Sequence, residues 1–517
     1  MVKCKGVISA GDKLTAEAGS EILKAGGNAF DAAISATFMS FAASSSITSA
    51  GGGGFFLAHQ SDNSNVLYDF FVQTPRNKRI DSELDFYPVH VDFGDKIQEF
   101  HIGWGSVATP GNIAGLFQVH QDLGSMPMVE IMAPVLELMK SGIKLHQQTK
   151  YQLDILEPIL TLSQEGREIY QKEDQLLKLS ESYHLPQMMD TFDYLARHGN
   201  REFYEGEIAQ MISKLCIENG GSLTYDDFKE YKVSKRIPLK NDYRGSMLIT
   251  NPPPNAGGSL ITFLLKLFEK VKFTKAEWGS AKHLQALAEA IMLTGVARNT
   301  KLEENLYAHA ASSLLFEPDF LSSMQQTMLR EMHKSGNTTH VSVIDKAGNI
   351  ASCTTSVGEG CGHYIPNTNI MLNNMLGEED LNKKGFHHWL PDQRMSSMMS
   401  PSIVMNKDGS KMGLGSGGSN RIRSAIAQAI INFIDFELMP DDIVNKPRIH
   451  LEHEHMDFEP GYLQQHIDAV VLPEGINKFQ WSEKNMYFGG VHAVFMDQKG
   501  NMDGAGDRRR VGHVISF

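Results

Sequence analysis

The stretch from Asn337 to Ser356 sets the strongest limit on what this chain can fold into. Thr338-Thr339-His340-Val341-Ser342-Val343-Ile344-Asp345 alternates with the period of a strand, and Lys346-Ala347-Gly348-Asn349 supplies a turn. Ile350-Ala351-Ser352-Cys353-Thr354-Thr355-Ser356 then reads as a second strand, so the pair predicts a β-hairpin with Thr338 at its head. A threonine hydroxyl is a poor nucleophile unless a base stands beside it. A chain break before Thr338 would place a new α-amino group, with a reference pKa near ~8, next to that hydroxyl. The pairing of Thr with an N-terminal amine is a known form of the nucleophile–base arrangement. On propensity alone, Thr-Thr is also an ordinary way to begin a strand, so the rest of the chain has to decide.

At 517 residues there is room for two or more domains, or for one large layered domain. The composition, 41% hydrophobic and 21% charged, is that of a soluble globular protein. A net charge of -13 argues against nucleic acid as the main partner and leaves a small substrate open. Cys4, Cys216, Cys353 and Cys361 are widely spaced with no CxxC pattern, which favours reduced thiols over a disulfide framework. Cys353 and Cys361 are expected to serve packing. Met1–Gly6 lacks the apolar core of a secretory signal, and no uncharged apolar run approaches membrane-spanning length. The expected setting is the cytoplasm, with no membrane partner.

Two helices are expected first, Thr15–Lys24 closed by Gly26-Gly27, and one capped by Asn28 that runs toward Phe41. Gly51-Gly52-Gly53-Gly54 feeds a buried strand, either as a tight backbone approach or as an anion-binding nest. It is not a P-loop, because no GK[ST] follows. Leu67–Val72 reads as a strand, Gly105–Gly111 as a strand ending in a turn, and Asn112 as a helix cap. Residues 130–235 read as mostly helical, with a flexible stretch around Glu165–Asp190. Asn251–Gly258, rich in Pro and Gly, is a rigid loop before a helix over Ser259–Lys270, and another helix spans about Ala281–Arg298. Glu289 on it reads as structural. After the hairpin, Ile370–Asn374 is a strand and Met375–Met399 an irregular excursion of the kind that forms lids. Strands resume at Ser400–Met405 and Lys411–Gly415. Ser416–Asn420 opens a helix over Arg421–Phe436, and more strands follow near Ala493–Phe495 and Gly512–Val514. The pattern is α+β: a mixed sheet with hairpins and covering helices, which a four-layer αββα sandwich would satisfy.

In order and spacing these motifs resemble the γ-glutamyltranspeptidases, members of the N-terminal-nucleophile hydrolases, over nearly the whole chain. Gly26–Ala33 is similar to the family's GGNAxDAA helix, Gly51–Phe55 to its GGGGF loop and Ser106–Gly111 to its SVAxPG turn. Pro252–Gly258 resembles its PPPxxGG loop and Thr338-Thr339-His340 the TTH that begins its small subunit. Asn373-Asn374, Ser396-Ser397 and Gly417-Gly418 follow in family order.

The resemblance implies a proenzyme that cuts its own Asn337–Thr338 bond, giving segments 1–337 and 338–517 that pair as one folded unit of the αββα type. Thr338 would then attack a γ-glutamyl amide and pass the acyl group to water or to an amine. Ser356 lies where the family carries a Thr that hydrogen-bonds the nucleophile. Gly417 and Gly418 match the oxyanion-hole pair, although an ungapped register moves that pair to Gly418 and Ser419. Ser396 and Ser397 match the α-carboxylate contacts. Glu378, or Glu379, falls at the acid that binds the substrate amine, and Asn374 joins the substrate-binding set.

The chain departs from the family at Phe71, where an Arg fork holds the α-carboxylate; Arg76 is several residues out of register. Gly358 replaces an Asn and Met375 a Gln. Three functions therefore stand: a γ-glutamyltransferase-type enzyme acting on amides such as glutathione, an amidase or acylase with another acyl group, and an uncleaved, non-enzymatic paralogue. No cofactor is expected. Neither His387-His388 nor His450-x-x-His453-x-His455 has a second cluster that would close a metal site. A homodimer is left open.

Overall fold

The computed structural model describes residues 5–92, 97–308, 311–317, 319–320, 338–452 and 454–517. Cys4, His453 and Asn337, the residue before the expected cut, lie outside the described residues. The strands of the two large sheets are, in chain order, β1 (Gly6–Ala10), β2 (Gly53–His59), β3 (Asn65–Phe70), β4 (Ser234–Arg236), β5 (Leu239–Tyr243), β6 (Ser246–Thr250), β7 (Thr339–Asp345), β8 (Ile350–Ser356), β9 (Ser402–Met405), β10 (Lys411–Gly417), β11 (Gly490–Met496), β12 (Met502–Ala505) and β13 (His513–Ser516). The first sheet has the order β4-β3-β2-β8-β7-β1-β13 and the second β5-β6-β9-β10-β11-β12. Every pairing within them is antiparallel. Strands from before and after residue 338 stand side by side in both sheets.

The predicted hairpin is β7–β8, at the middle of the first sheet, and every residue of both strands is buried. A strand covered on both faces sends alternate side chains to two different cores. Val341, Val343, Ala351 and Cys353 pack toward helices α1 (Lys13–Ala25) and α2 (Ala29–Ala43). Ile344 and Ile350 pack on the second sheet with Met412, Leu414 and Val494. The polar residues on that inner face are satisfied across the sheets: Ser352 Oγ donates to Leu414 O at 2.9 Å and Ser342 Oγ to His492 O at 3.3 Å.

Local chemistry explains the helices that cover the first sheet. Asp12 caps α1 by accepting from Leu14 N at 2.7 Å, and Gly26 ends it at φ 101°, a left-handed conformation suited to glycine. Asn28 and Asp31 form a capping box for α2, all of whose residues are buried; its Ala and Ser positions let it lie close against α1 and the hairpin. Helix α3 (Asn112–Leu123) packs beside α2. On the second sheet's side, α4 (Ala256–Phe268) packs on both α5 (Ala281–Ala297) and α6 (Arg421–Ile434), and α6 packs on strands β10 and β11.

Several boundaries differ from expectation. Gly105–Gly111 is no strand: Trp104–Ser106 is a 3-10 turn and Thr109 makes a single bridge to Gln73. Asn112 is the first residue of α3 rather than its cap, and its Nδ2 donates to Ser49 O at 2.7 Å. Only Ile370–Met371 of the Ile370–Asn374 segment is a strand, and Ser416-Gly417 ends β10 instead of opening α6. Glu165–Asp190 holds a short helix, two-residue strands and the start of helix Pro186–His198. The four glycines serve close approach: a Cβ on Gly52 would lie 2.1 Å from Ser356 O, and one on Gly54 would lie 2.5 Å from Thr354 O. Cys216, Cys353 and Cys361 are buried free thiols, and burial pushes each up to about 12.

Asp345 ties the hairpin turn to the helix layer. Its Oδ1 accepts from Ala347 N at 2.9 Å and Asn349 N at 3.1 Å, and its Oδ2 accepts from Ala29 N at 3.0 Å and Asn349 Nδ2 at 2.8 Å. Replacing Asp345→Ala is expected to cost about 3 kcal/mol, because several charge-assisted bonds go at once. Urea unfolding measures this, and a loss below ~0.5 kcal/mol would show that the turn does not depend on the carboxylate.

Candidate active site

Thr339 pairs with Thr355 across β7–β8, and Ser356 pairs with Gly53 across β8–β2. One more step along that register brings Thr338 beside Ser356. Both line one cavity, whose empty space is about 560 Å³ with open solvent included. Thr338 is only 5% exposed. Its carbonyl oxygen is held from two sides: Arg510 Nη1 donates to it at 3.1 Å, and a Cβ on Gly417 would lie 2.0 Å from it. Gly417 is the last residue of β10, opposite Gly490. The chain then bends into α6 through Gly418 at φ +115° and Ser419 at φ 48°. Such a bend directs successive backbone N–H groups to one side, where they can meet a developing negative charge. Ser419 lines the Thr338 cavity.

The base of β7 is braced by His340. Its Nδ1 meets Thr354 Oγ1 at 2.8 Å and its Nε2 meets Ser342 Oγ at 2.8 Å, while Gly415 leaves room for the ring. Burial, with His492 nearby, pulls its pKa well below the usual imidazole range. A second cavity, with about 370 Å³ of empty space, opens on the other side of Thr338 between Arg510, His492, Asp12 and His146.

Ser396 and Ser397 lie on the wall of the first cavity. Ser397 O accepts from Ala256 N at 3.1 Å and Gly257 N at 3.3 Å, so the N-terminus of α4 fixes its backbone; Ser397 Oγ accepts from Met399 N at 3.1 Å. Glu378 is on the same wall, 5% exposed. Burial pushes its carboxyl upward, and it hydrogen-bonds the Glu359 carboxyl. Asn374 braces the loop: its Oδ1 accepts from Glu359 N at 3.0 Å and its Nδ2 donates to His101 O at 3.3 Å. Its amide also hydrogen-bonds the Glu378 carboxyl on the cavity wall.

The departures have local causes. Phe71 lines the cavity and stacks on Phe55 at 5.5 Å between ring centroids. Arg394 sits below it, spending its guanidinium on Phe71 O, Tyr231 Oη and Lys232 O, and Arg76 pairs with Asp392 at 3.2 Å. Gly358, at φ +70°, could not carry the family's Asn: a Cβ would lie 2.1 Å from Asn374 Oδ1 and 2.9 Å from Glu378 Oε1. Sequence reasoning missed Arg298, Glu303 and Asp380, which also line the cavity. Asp380 accepts from Ser419 Oγ, from Asn420 Nδ2 at 3.0 Å and from Lys383 Nζ at 3.1 Å. A carboxylate five residues after the Asn373-Asn374-Met375 turn carries no local signal of that role.

Among the described residues, no three His, Cys, Asp or Glu side chains gather as a metal site. His450 is occupied on both nitrogens, by Ser424 Oγ at 2.7 Å and Glu452 Oε2 at 2.9 Å.

Three buried histidines make stability depend on pH. His340 lies well below 6.5, and burial pulls His283 and His492 down to about 4. The folded state therefore holds neutral rings, and the unfolded chain takes up protons first as pH falls below 6.5. Their contribution is complete above that pH and is lost toward pH 4, each ring removing up to about 1.4 kcal/mol per pH unit. The urea midpoint is expected to fall steadily from pH 6.5 to 4.5, and less steeply in His283→Phe. A flat midpoint across that window would contradict neutral rings.

A sequence model of the family described as Gamma-glutamyltranspeptidase matches residues 15–517. The chain is 27% identical to the glutathione hydrolase proenzyme of Escherichia coli (strain K12), over 98% of this chain and 91% of that protein. It is also 27% identical to the capsule biosynthesis protein CapD proenzyme of Bacillus anthracis, over 98% of this chain and 89% of that protein. Its fold matches the crystal structure of cephalosporin acylase from Bacillus halodurans with a TM-score of 0.83 at 20% identity, covering 99% of this chain and 96% of that one.

Proposed function

The chain belongs to the gamma-glutamyltranspeptidase family, and from that premise we propose that it is a self-cleaving amidohydrolase with Thr338 as nucleophile. The observation that carries this reading is the placement of Thr338 on one cavity wall with Ser356, Ser396 and Ser397. Two facing antiparallel sheets with helices outside each are taken as the four-layer αββα sandwich of the N-terminal-nucleophile type. In the precursor, Thr338 Oγ attacks the carbonyl carbon before it, the peptide nitrogen leaves, and water opens the resulting ester. The freed α-amine is then the base. Segments 1–337 and 338–517 stay one unit, since both supply strands to both sheets.

In the mature enzyme the amine takes the proton of Thr338 Oγ, which attacks the substrate amide carbonyl. The oxyanion meets N–H groups of the Gly417–Ser419 bend, each donor worth roughly 2.7–4 kcal/mol. The leaving amine is protonated, and water or another amine receives the acyl group from Thr338. Ser356 supports the nucleophile from the neighbouring strand.

The acyl group is one other than γ-glutamyl. Phe71 removes the guanidinium, Gly358 and Met375 remove two amide groups, and Met398, Met399 and Ile422 give the wall apolar surface. A second reading, γ-glutamyl amides such as glutathione, is favoured by Ser396, Ser397 and Glu378 in the same cavity.

N-terminal sequencing of the smaller fragment is expected to read Thr-Thr-His. Thr338→Ala is expected to stay a single 57.4 kDa chain and to lose amide turnover by about 10³-fold or more. An intact chain in an active preparation would overturn the mechanism. γ-Glutamyl anilide turned over faster than all other acyl anilides would favour the second reading.

A further inference from the structure

The cavity behind Thr338, whose empty space is about 370 Å³ with open solvent included, has no part in the amide chemistry proposed for that residue. It carries an unbalanced charge. Arg510 lines it and is 6% exposed. Among the described residues its guanidinium makes one hydrogen bond, from Nη1 to Thr338 O at 3.1 Å. Nε is buried without a partner, Nη2 has none either, and no Asp or Glu of the described residues lies within ion-pair distance. Asp507 is spent on Arg448 at 2.7 Å and on Arg509 at 3.0 Å. Burial and the like charges of Arg421 and Arg448, opposed by Asp507, pull Arg510 down to about 10, so it still carries its proton at neutral pH. A buried guanidinium with open donors costs stability unless an anion accepts from them.

Two neutral donors border the same space. Thr339 is 6% exposed, and its hydroxyl has no partner among the described residues. His492 Nδ1 accepts from Asp507 N at 3.4 Å, which leaves the proton of the neutral ring on Nε2. Burial and the nearby Arg510 charge keep that ring neutral. A Cβ on Gly11 would lie 3.0 Å from Thr339 Oγ1 and 3.2 Å from His492 Nε2, so both flank one small space that glycine leaves open. The carboxylate of the lining, Asp12, is occupied: Oδ1 accepts from Leu14 N at 2.7 Å and Thr15 N at 3.3 Å, and Oδ2 meets His146 Nε2 at 3.2 Å. His146 caps the nine-residue helix Gln147–Ile155, whose first turn lines the cavity with Gln148 and Thr149. The positive end of that helix dipole adds to the field of Arg510.

We propose that this cavity binds one small monovalent anion, of the size of a halide or formate, which accepts from Arg510 Nη2, the Thr339 hydroxyl and His492 Nε2. One guanidinium with neutral donors matches a single charge, and Asp12 disfavours a second. The bound anion completes the bonding of Arg510 and so holds the guanidinium on the Thr338 carbonyl, where β7 and β10 meet.

Crystals of the purified enzyme soaked in sodium bromide are expected to show an anomalous peak within hydrogen-bond distance of Arg510 Nη2 and the Thr339 hydroxyl. In solution, sodium bromide and sodium formate are titrated separately, with sodium gluconate keeping the ionic strength constant. Each is expected to raise the thermal midpoint along a saturating curve, by about 2 °C or more. The ion with the lower half-saturation tells a halide site from a carboxylate site. The saturating rise is expected to vanish in Arg510→Met, and in Gly11→Ala, whose methyl group takes the space between Thr339 and His492. Should a variant fail to fold, the bromide map of the wild type decides. An empty cavity, bromide at the surface as an adventitious ion only, or a midpoint indifferent to both anions overturns the proposal. A rise unchanged in Gly11→Ala overturns it as well. None of these readouts uses turnover, so the outcome is independent of Thr338 acting as a nucleophile.

Discussion

Two backbones meet at the Thr338 carbonyl and Gly417 with no side chain between them, and the site is organised around that contact. Facing sheets ordinarily stand about 10 Å apart, spaced by the side chains of their inner faces. Here the ends of β7 and β10 converge because Gly415 admits the His340 ring and Gly417 admits the carbonyl. The polar residues that fill the gap bond across it, so closeness is obtained without leaving buried donors unmet. A single Cβ at Gly417 would part the sheets at the point where Thr338 sits.

The group that holds the carbonyl from the other side is itself held by buried charge. Arg509 pairs with Glu459 and with Asp507 at 3.0 Å, and Arg448 pairs with Asp507 at 2.7 Å; these side chains are at most 4% exposed. Burying so many ions gains little stability, since desolvation offsets most of the attraction. What the network fixes is direction: it pins the turn that carries Arg510 to Thr338. The same trade recurs at Arg298, Asn420 and Asp380. Hydrogen-bonded ions thus stand on both sides of Thr338, beside the apolar surface of Phe71, Met375 and Met398.

Signals that act within a few residues were legible from sequence. The hairpin's alternation, the Asn28–Asp31 cap and the Gly26 stop each depend on neighbours in the chain, and each reappears in the fold. The segment Gly105–Gly111 looked extended because Val, Ala, Thr and Pro favour that backbone, but its partners are single contacts to Gln73 and Gly52 rather than a ladder. Thr338, Ser356, Glu378, Ser396 and Ser397 could be singled out by motif, and the structure brings them to one wall. Asn374 shows the limit of that approach, because its amide braces the loop and reaches the wall only through Glu378. Arg298 carried no signal at all: an Arg at a helix end is commonplace, and only the path of the chain 122 residues later, at Asn420, gives it a partner.

Strand β1 lies between β7 and β13, so both of its edges stay open until residues more than 300 positions later arrive. Until then the growing chain carries an unsatisfied strand beside two largely apolar helices, a state that invites misassociation and folds slowly. The site waits on equally late residues. The walls around Thr338 come from residue 71, from residues 298–303 and from residues 356–422, and its carbonyl is gripped from position 510. A chain made only as far as Thr338 lacks the wall from residues 356–422 and the Arg510 contact, so the surroundings of the threonine are complete only in the finished fold.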